Sequence, residues 1–202
     1  MMRYLFASVV CGLAVLGGCD SGQVARPTGD PVVDSRQAIA FAKRAEESQA
    51  AGHPEEAVNY AKQALTLRGD LGGAWNNLGV SLMDMKEWIA ASDALRKAAD
   101  YMPADPRPYE NLGHLYRMQG FSVDALKYFV MSLERDPYWL PSIRGATASA
   151  KDLLHSDDDG LERVKRGLLV DNDPEWRRIY EAERVRIKQD LDEKLRRLKS
   201  GL

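Results

Sequence analysis

The sequence predicts an all-helical chain, a solenoid of antiparallel helix pairs closed by one longer helix. Apolar residues through the middle recur at i, i+3, i+4 and i+7, which places them on one face of a helix. The chain also matches itself under a shift of 34 residues, a length that holds two helices and their turns. Prolines and glycines fall between the helical stretches, where they end one helix or open the next.

Composition sets the outer bounds. The 202 residues are 45% hydrophobic and 29% charged with a net charge of −2, enough to bury a core without a disulfide or structural metal. The balance excludes a strongly basic nucleic-acid footprint, and no nucleic-acid partner is expected. Both cysteines, Cys11 and Cys19, lie near the N-terminus. Disulfide scaffolds, Cys nucleophiles and Cys-ligated zinc are therefore excluded from the rest of the chain.

The first residues read as an address. Arg3 supplies one positive charge, and Tyr4 to Leu16 carries none. That stretch suits the apolar region of a signal peptide and falls short of the roughly 20 residues a spanning helix needs. It ends Val15-Leu16-Gly17-Gly18-Cys19, which resembles the lipobox of bacterial lipoprotein signal peptides. The resemblance implies a signal peptide over 1–18, cleavage before Cys19, acylation (palmitate) of Cys19, and a lipid-anchored chain in the bacterial cell envelope. Asp20 leaves the choice of inner or outer membrane open. The next stretch, 19–36, is rich in Gly and Pro without a helical period, so a flexible tether is expected there.

The 34-residue shift maps Trp75 to Tyr109, Leu78 to Leu112, Gly79 to Gly113 and Leu82 to Tyr116. It also maps Ala91 to Ala125, Leu95 to Phe129, Ala98 to Ser132 and Pro103 to Pro137. Large residues at these places fill the space between paired helices, and small ones let the axes approach. The pattern resembles the tetratricopeptide repeat, and 72–105 and 106–139 match its signature positions. The resemblance implies an α-solenoid array over 37–173, with degenerate units at 38–71 and 140–173 as terminal members of a stack. In the first of these, Arg44 and Ser48 replace apolar residues, which predicts a solvated outer face. In the last, Ser156-Asp157-Asp158-Asp159-Gly160 breaks the chain, and its second helix is expected to restart at about Leu161. Pro174 then arrives three residues later than a closing proline should.

Asp173-Pro174-Glu175 reads as a helix start, and 174–202 as a C-terminal charged amphipathic helix carrying nine Lys/Arg and six Asp/Glu. Trp176 and Tyr180 are expected to cap the array. Three readings of the remaining surface stay open: a solvating cap, a homodimerising coiled coil, or a basic contact with anionic lipid.

Enzyme chemistry has no foothold in these residues. His53, His114 and His155 are far apart without metal-ligand spacing, and no nucleophile elbow or phosphate loop occurs, so no cofactor and no metal are expected. The resemblance instead implies a concave groove lined by the first helix of each pair, taking a protein or extended peptide. Its candidate residues are Asn76, Asn77, Val80, Met83 and Asp84 in one unit, and Arg107, Glu110, Asn111, His114, Arg117 and Met118 in the next. Asn77 and Asn111 stand where the family often uses amides to hold a partner's backbone. The two-basic-residue carboxylate clamp of the chaperone-binding variety is incomplete, with Ala42 and Glu46 at its first-unit positions. The expected function is a non-catalytic adaptor or scaffold anchored to the membrane. The alternative is an accessory subunit of an envelope enzyme, secretion or pilus-assembly complex with one permanent partner.

Overall fold

The computed structural model of the protein describes residues 25–200; the expected signal peptide and Cys19 lie outside them. The described residues form nine α-helices and no strand. They are α1 (Pro31–Ala50), α2 (Pro54–Leu67), α3 (Gly72–Asp84), α4 (Trp88–Tyr101), α5 (Pro106–Met118), α6 (Ser122–Arg135), α7 (Leu140–Asp152), α8 (Asp158–Val170) and α9 (Pro174–Ser200).

The 34-residue period is visible in the backbone itself. Helices α3, α5, α7 and α9 open at Gly72, Pro106, Leu140 and Pro174, each 34 residues after the last. The turns inside the pairs keep the same beat, with a left-handed residue at Gly52, Lys86, Gly120 and Leu154. A helix that ends in this conformation satisfies its last carbonyls, and glycine reaches it without steric cost. Two of the four positions bear a side chain there.

Each pair is closed by small residues against large ones. A Cβ on Gly79 would stand 2.6 Å from the Leu95 side chain, and one on Gly113 would stand 2.7 Å from the Phe129 ring. Gly145 meets the outer end of the same Phe129 ring, so this buried phenylalanine joins α5, α6 and α7. Gly167 of α8 receives Tyr180 of α9 in the same manner. The buried side chains fall into two clusters, with Tyr116 packed against both. That arrangement is a stack in which each unit rests on its neighbours.

The first helices touch one another in succession, α1 on α3, α3 on α5, α5 on α7 and α7 on α9. Among the described residues, no second helix of a pair approaches another second helix. Helices crowded on one side and splayed on the other make a curved array, and the crowded side is the concave one.

Several boundaries differ from the sequence expectation. Helix α1 begins at Pro31, inside the stretch expected to be a tether. The Asp30 side chain accepts from the Val32 and Val33 amides, and Asp34 accepts from the Thr28 amide and hydroxyl. An aspartate cap followed by proline starts a helix even where no apolar period supports it. Ser48 is buried rather than solvated, with its hydroxyl donating to Glu56 across the α1–α2 pair. Helix α8 begins at Asp158 instead of about Leu161, because Asp157 caps the Gly160 amide at 2.6 Å.

The fourth pair also resolves the late proline. Gly160, Val164 and Gly167 are buried where Ala125, Phe129 and Ser132 are buried in the preceding pair, at a spacing of 35. One residue is therefore added within the acidic loop after Leu154. Pro174 is not a delayed closing proline but the opening residue of α9, in phase with Pro106. The last helix thus occupies the place of the first helix of a fifth unit.

Candidate functional site

The concave face is built from α1, α3, α5, α7 and α9, and the candidate groove residues divide into three groups. Asn76 and Met83 are buried in the stack, each 8% exposed, and present little to a partner. Both fall at positions where α3 faces its neighbouring first helices, which a period of 34 cannot distinguish from the open groove. Asn77 and Asn111 are half-buried, and each ties its helix to the preceding one. Asn77 Nδ2 donates to the Ala42 carbonyl at 3.0 Å, and Asn111 Nδ2 donates to Asn76 Oδ1 at 2.9 Å. A backbone carbonyl is held, as the residue type suggests, but it is this chain's own.

The remaining candidates reach the surface. Val80 is half-buried, Asp84 is exposed and accepts from Gln49 at 3.4 Å, and Met118 is 60% exposed. Arg107 folds back on Asp105, the residue that caps α5, with two nitrogens on its carboxylate. Their mutual hydrogen bonds hold the Asp105 carboxyl below its ordinary range, against the opposing effect of burial. Glu110 and His114 pair across one helical turn at 2.9 Å. Arg117 is exposed and has no acceptor among the described residues.

One pocket of about 330 Å³ opens on this face. Leu140, Pro141 and Ala148 of α7 give it an apolar floor, His114 and Arg117 of α5 form one side, and Trp176 of α9 forms the other. Arg144 also lines it and is fixed from below. Its guanidinium donates to both oxygens of Asp171, at 2.8 and 2.7 Å, and lies 5.3 Å from the centre of the Trp176 ring. Tyr180 donates to the same carboxylate at 3.0 Å. Asp171 is 1% exposed, and its carboxyl is held low mainly by the hydrogen bonds from Arg144, while burial opposes this. The buried network locks α9 onto the fourth pair and sets the orientation of the indole.

Sequence reasoning found two members of this pocket, His114 and Arg117. It missed Arg144 and Ala148, and it gave Trp176 only as a cap on the array. The period contains the signal for two of these, since Arg144 and Ala148 stand 34 residues after Glu110 and His114.

The described residues hold no group of three or more His, Asp or Glu placed to bind a metal. No helix among them is long and apolar enough to cross a membrane.

Helix pairs stacked at this period, with a concave face of first helices, define a tetratricopeptide-repeat-like solenoid. Comparisons with known proteins agree at the level of the fold. No family model matches the chain. It is 28% identical over 120 residues to the BBSome complex member bbs-4 of Caenorhabditis elegans, a match covering 58% of this chain. The matched region spans 25% of that protein's length. Among solved structures it is similar to the first repeat domain of Spaghetti (RPAP3) bound to the HSP90 peptide SRMEEVD, with a TM-score of 0.56 and 14% identity. That match covers 59% of this chain and 95% of the other. It is also similar to a mutant O-GlcNAc transferase from Thermobaculum terrenum, with a TM-score of 0.60 and 20% identity, covering 72% of this chain and 26% of that one.

Proposed function

We propose that this chain is a lipid-anchored adaptor of the bacterial cell envelope, which holds a protein or peptide partner on its concave face and performs no chemistry itself. The observation that carries the reading is the concave row of first helices with a preformed pocket between α5, α7 and α9. A related fold holds an HSP90 peptide in the RPAP3 complex, which supports a peptide-binding role for this array.

The anchor rests on the lipobox-like residues ending at Cys19. Buried acyl chains contribute roughly 0.8 kcal/mol per CH₂, so two or more hold a protein stably without a spanning helix. Thr28 is tied to the fold by two hydrogen bonds that Asp34 accepts. Even fully extended, the residues from Cys19 to Thr28 reach about 30 Å. The adaptor would therefore work close to the membrane surface.

Cys19→Ala is expected to leave a full-length precursor without acyl groups, read by mass spectrometry of the membrane fraction. A normally processed and acylated chain from that variant would overturn the anchor.

A further inference from the structure

We propose that the α5–α9 half of the concave face selects an acidic peptide segment that inserts one apolar side chain into the pocket beside Trp176. This rests on the groove reading above and adds the chemistry of the partner.

Equivalent positions along the array give the charge pattern. The residues 34 apart at the place of Arg117 are Met83 and Lys151, and those at the place of Arg144 are Asn76, Glu110 and Arg178. Arg117, Lys151 and Arg178 are exposed on three successive first helices, and none has an acceptor among the described residues. Lys151 lies one turn beyond Ala148 on the same face of α7, and Ala148 lines the pocket. Three carboxylates near the pocket are already engaged, Glu110 by His114 and Asp171 and Asp173 by Arg144. Asp152 and Glu175 are acids of this end without a cation partner, each at an end of its helix. The other half of the groove carries Gln49 and Met83 at the place of Arg117 and Ala42 and Asn76 at the place of Arg178, none of them Lys or Arg, and Glu46 and Asp84 stand within a turn of these. The groove is therefore polarised along its length, basic towards α9.

Charge steers and selects, while an apolar anchor in a desolvated pocket supplies most of the affinity. The pocket floor offers that anchor a place, and the fixed Arg144–Trp176 pair means that little has to be ordered on binding. Arg117 and Lys151 lie off the clamp positions; of the residues at the place of Ala42, Arg144 is held by Asp171, and Arg178 has no second cation, because the place of Glu46 carries Ala148 and Ala182 on α7 and α9. The selected feature is therefore acidic residues within a segment rather than a chain terminus.

The test uses the full-length chain in detergent and a short fluorescein-labelled peptide of glutamates around a central phenylalanine. Control peptides carry lysines for the glutamates or serine for the phenylalanine, and anisotropy reads the affinity. The glutamate–phenylalanine peptide should bind, the lysine peptide should not, and the serine peptide should bind at least about tenfold more weakly. Arg117→Glu with Lys151→Glu, and separately Ala148→Phe, should each weaken the first peptide about tenfold with an unchanged melting temperature. Arg178→Glu provides an independent charge variant on another helix. Equal binding of the lysine peptide, affinity indifferent to these substitutions, or no binding of any peptide would overturn the acidic-segment assignment. If photocrosslinks from concave positions to a cellular partner persist in that case, the adaptor reading stands and only the partner's chemistry is lost.

Discussion

Lys86 and Leu154 hold the same left-handed backbone as Gly52 and Gly120, with φ of 62° and 51°. A side chain in this region costs roughly 1 kcal/mol, which glycine avoids. Lys86→Gly and Leu154→Gly should therefore each raise stability by about 0.5–1 kcal/mol, seen as a higher urea midpoint. The reverse substitution, Gly120→Ala, should lower it by a similar amount. The asparagines carry a different lesson. Asn77→Ala removes the donor to the Ala42 carbonyl and should cost about 1 kcal/mol, so a melting curve must accompany any binding assay on that variant. Residue type and spacing marked Asn77 and Asn111 as backbone-holding groups. Asn77 holds the Ala42 backbone and Asn111 the Asn76 side chain, because successive first helices approach closely, and a repeat period does not contain that distance.

The pairing of helices was the most legible level, because small residues opposite large ones leave a pattern at fixed spacing. Gly79 and Gly113 were readable from the sequence as places of close approach, and both are tight, against Leu95 and Phe129 respectively. Gly113→Ala should push α5 from α6 and cost about 1–3 kcal/mol, measured by denaturant unfolding. The start of α1 was not legible, since a cap built from Thr28, Asp30 and Asp34 acts without an apolar stripe. The added residue in the acidic loop likewise breaks the period locally, and Val164 and Gly167 then look out of place in the sequence.

Docking of α9 carries its own pH dependence. In the folded chain Asp171 gives up its proton more readily than in the unfolded chain, chiefly through the hydrogen bonds from Arg144. Its stabilisation is therefore complete at neutral pH and is lost as the pH falls below the ordinary carboxylate range. Tyr180 has the opposite sign. Burial first, then its hydrogen bond to Asp171, pushes the phenol up, so its contribution persists to about pH 10 and is lost above that. Asp171→Asn should lower stability by about 2–3 kcal/mol at pH 7 and flatten the further loss as the pH falls below about 4, both read from urea midpoints.

At the scale of the whole molecule, five first helices in phase make a continuous concave wall, and the last of them completes a pocket that the four expected units would leave open. The sequence period announced such a wall without showing that α9 belongs to it. The adaptor reading depends on that wall being the surface that meets a partner. The most direct measurement places a photocrosslinking amino acid at Val80, His114 or Ala148 on the concave side, and at Ile89 or Val123 on exposed second-helix positions, in cells carrying the full chain. The account predicts discrete adducts with a partner polypeptide from the concave positions and none from Ile89 or Val123. Adducts arising only from the second-helix positions, or none from the concave face, would contradict it.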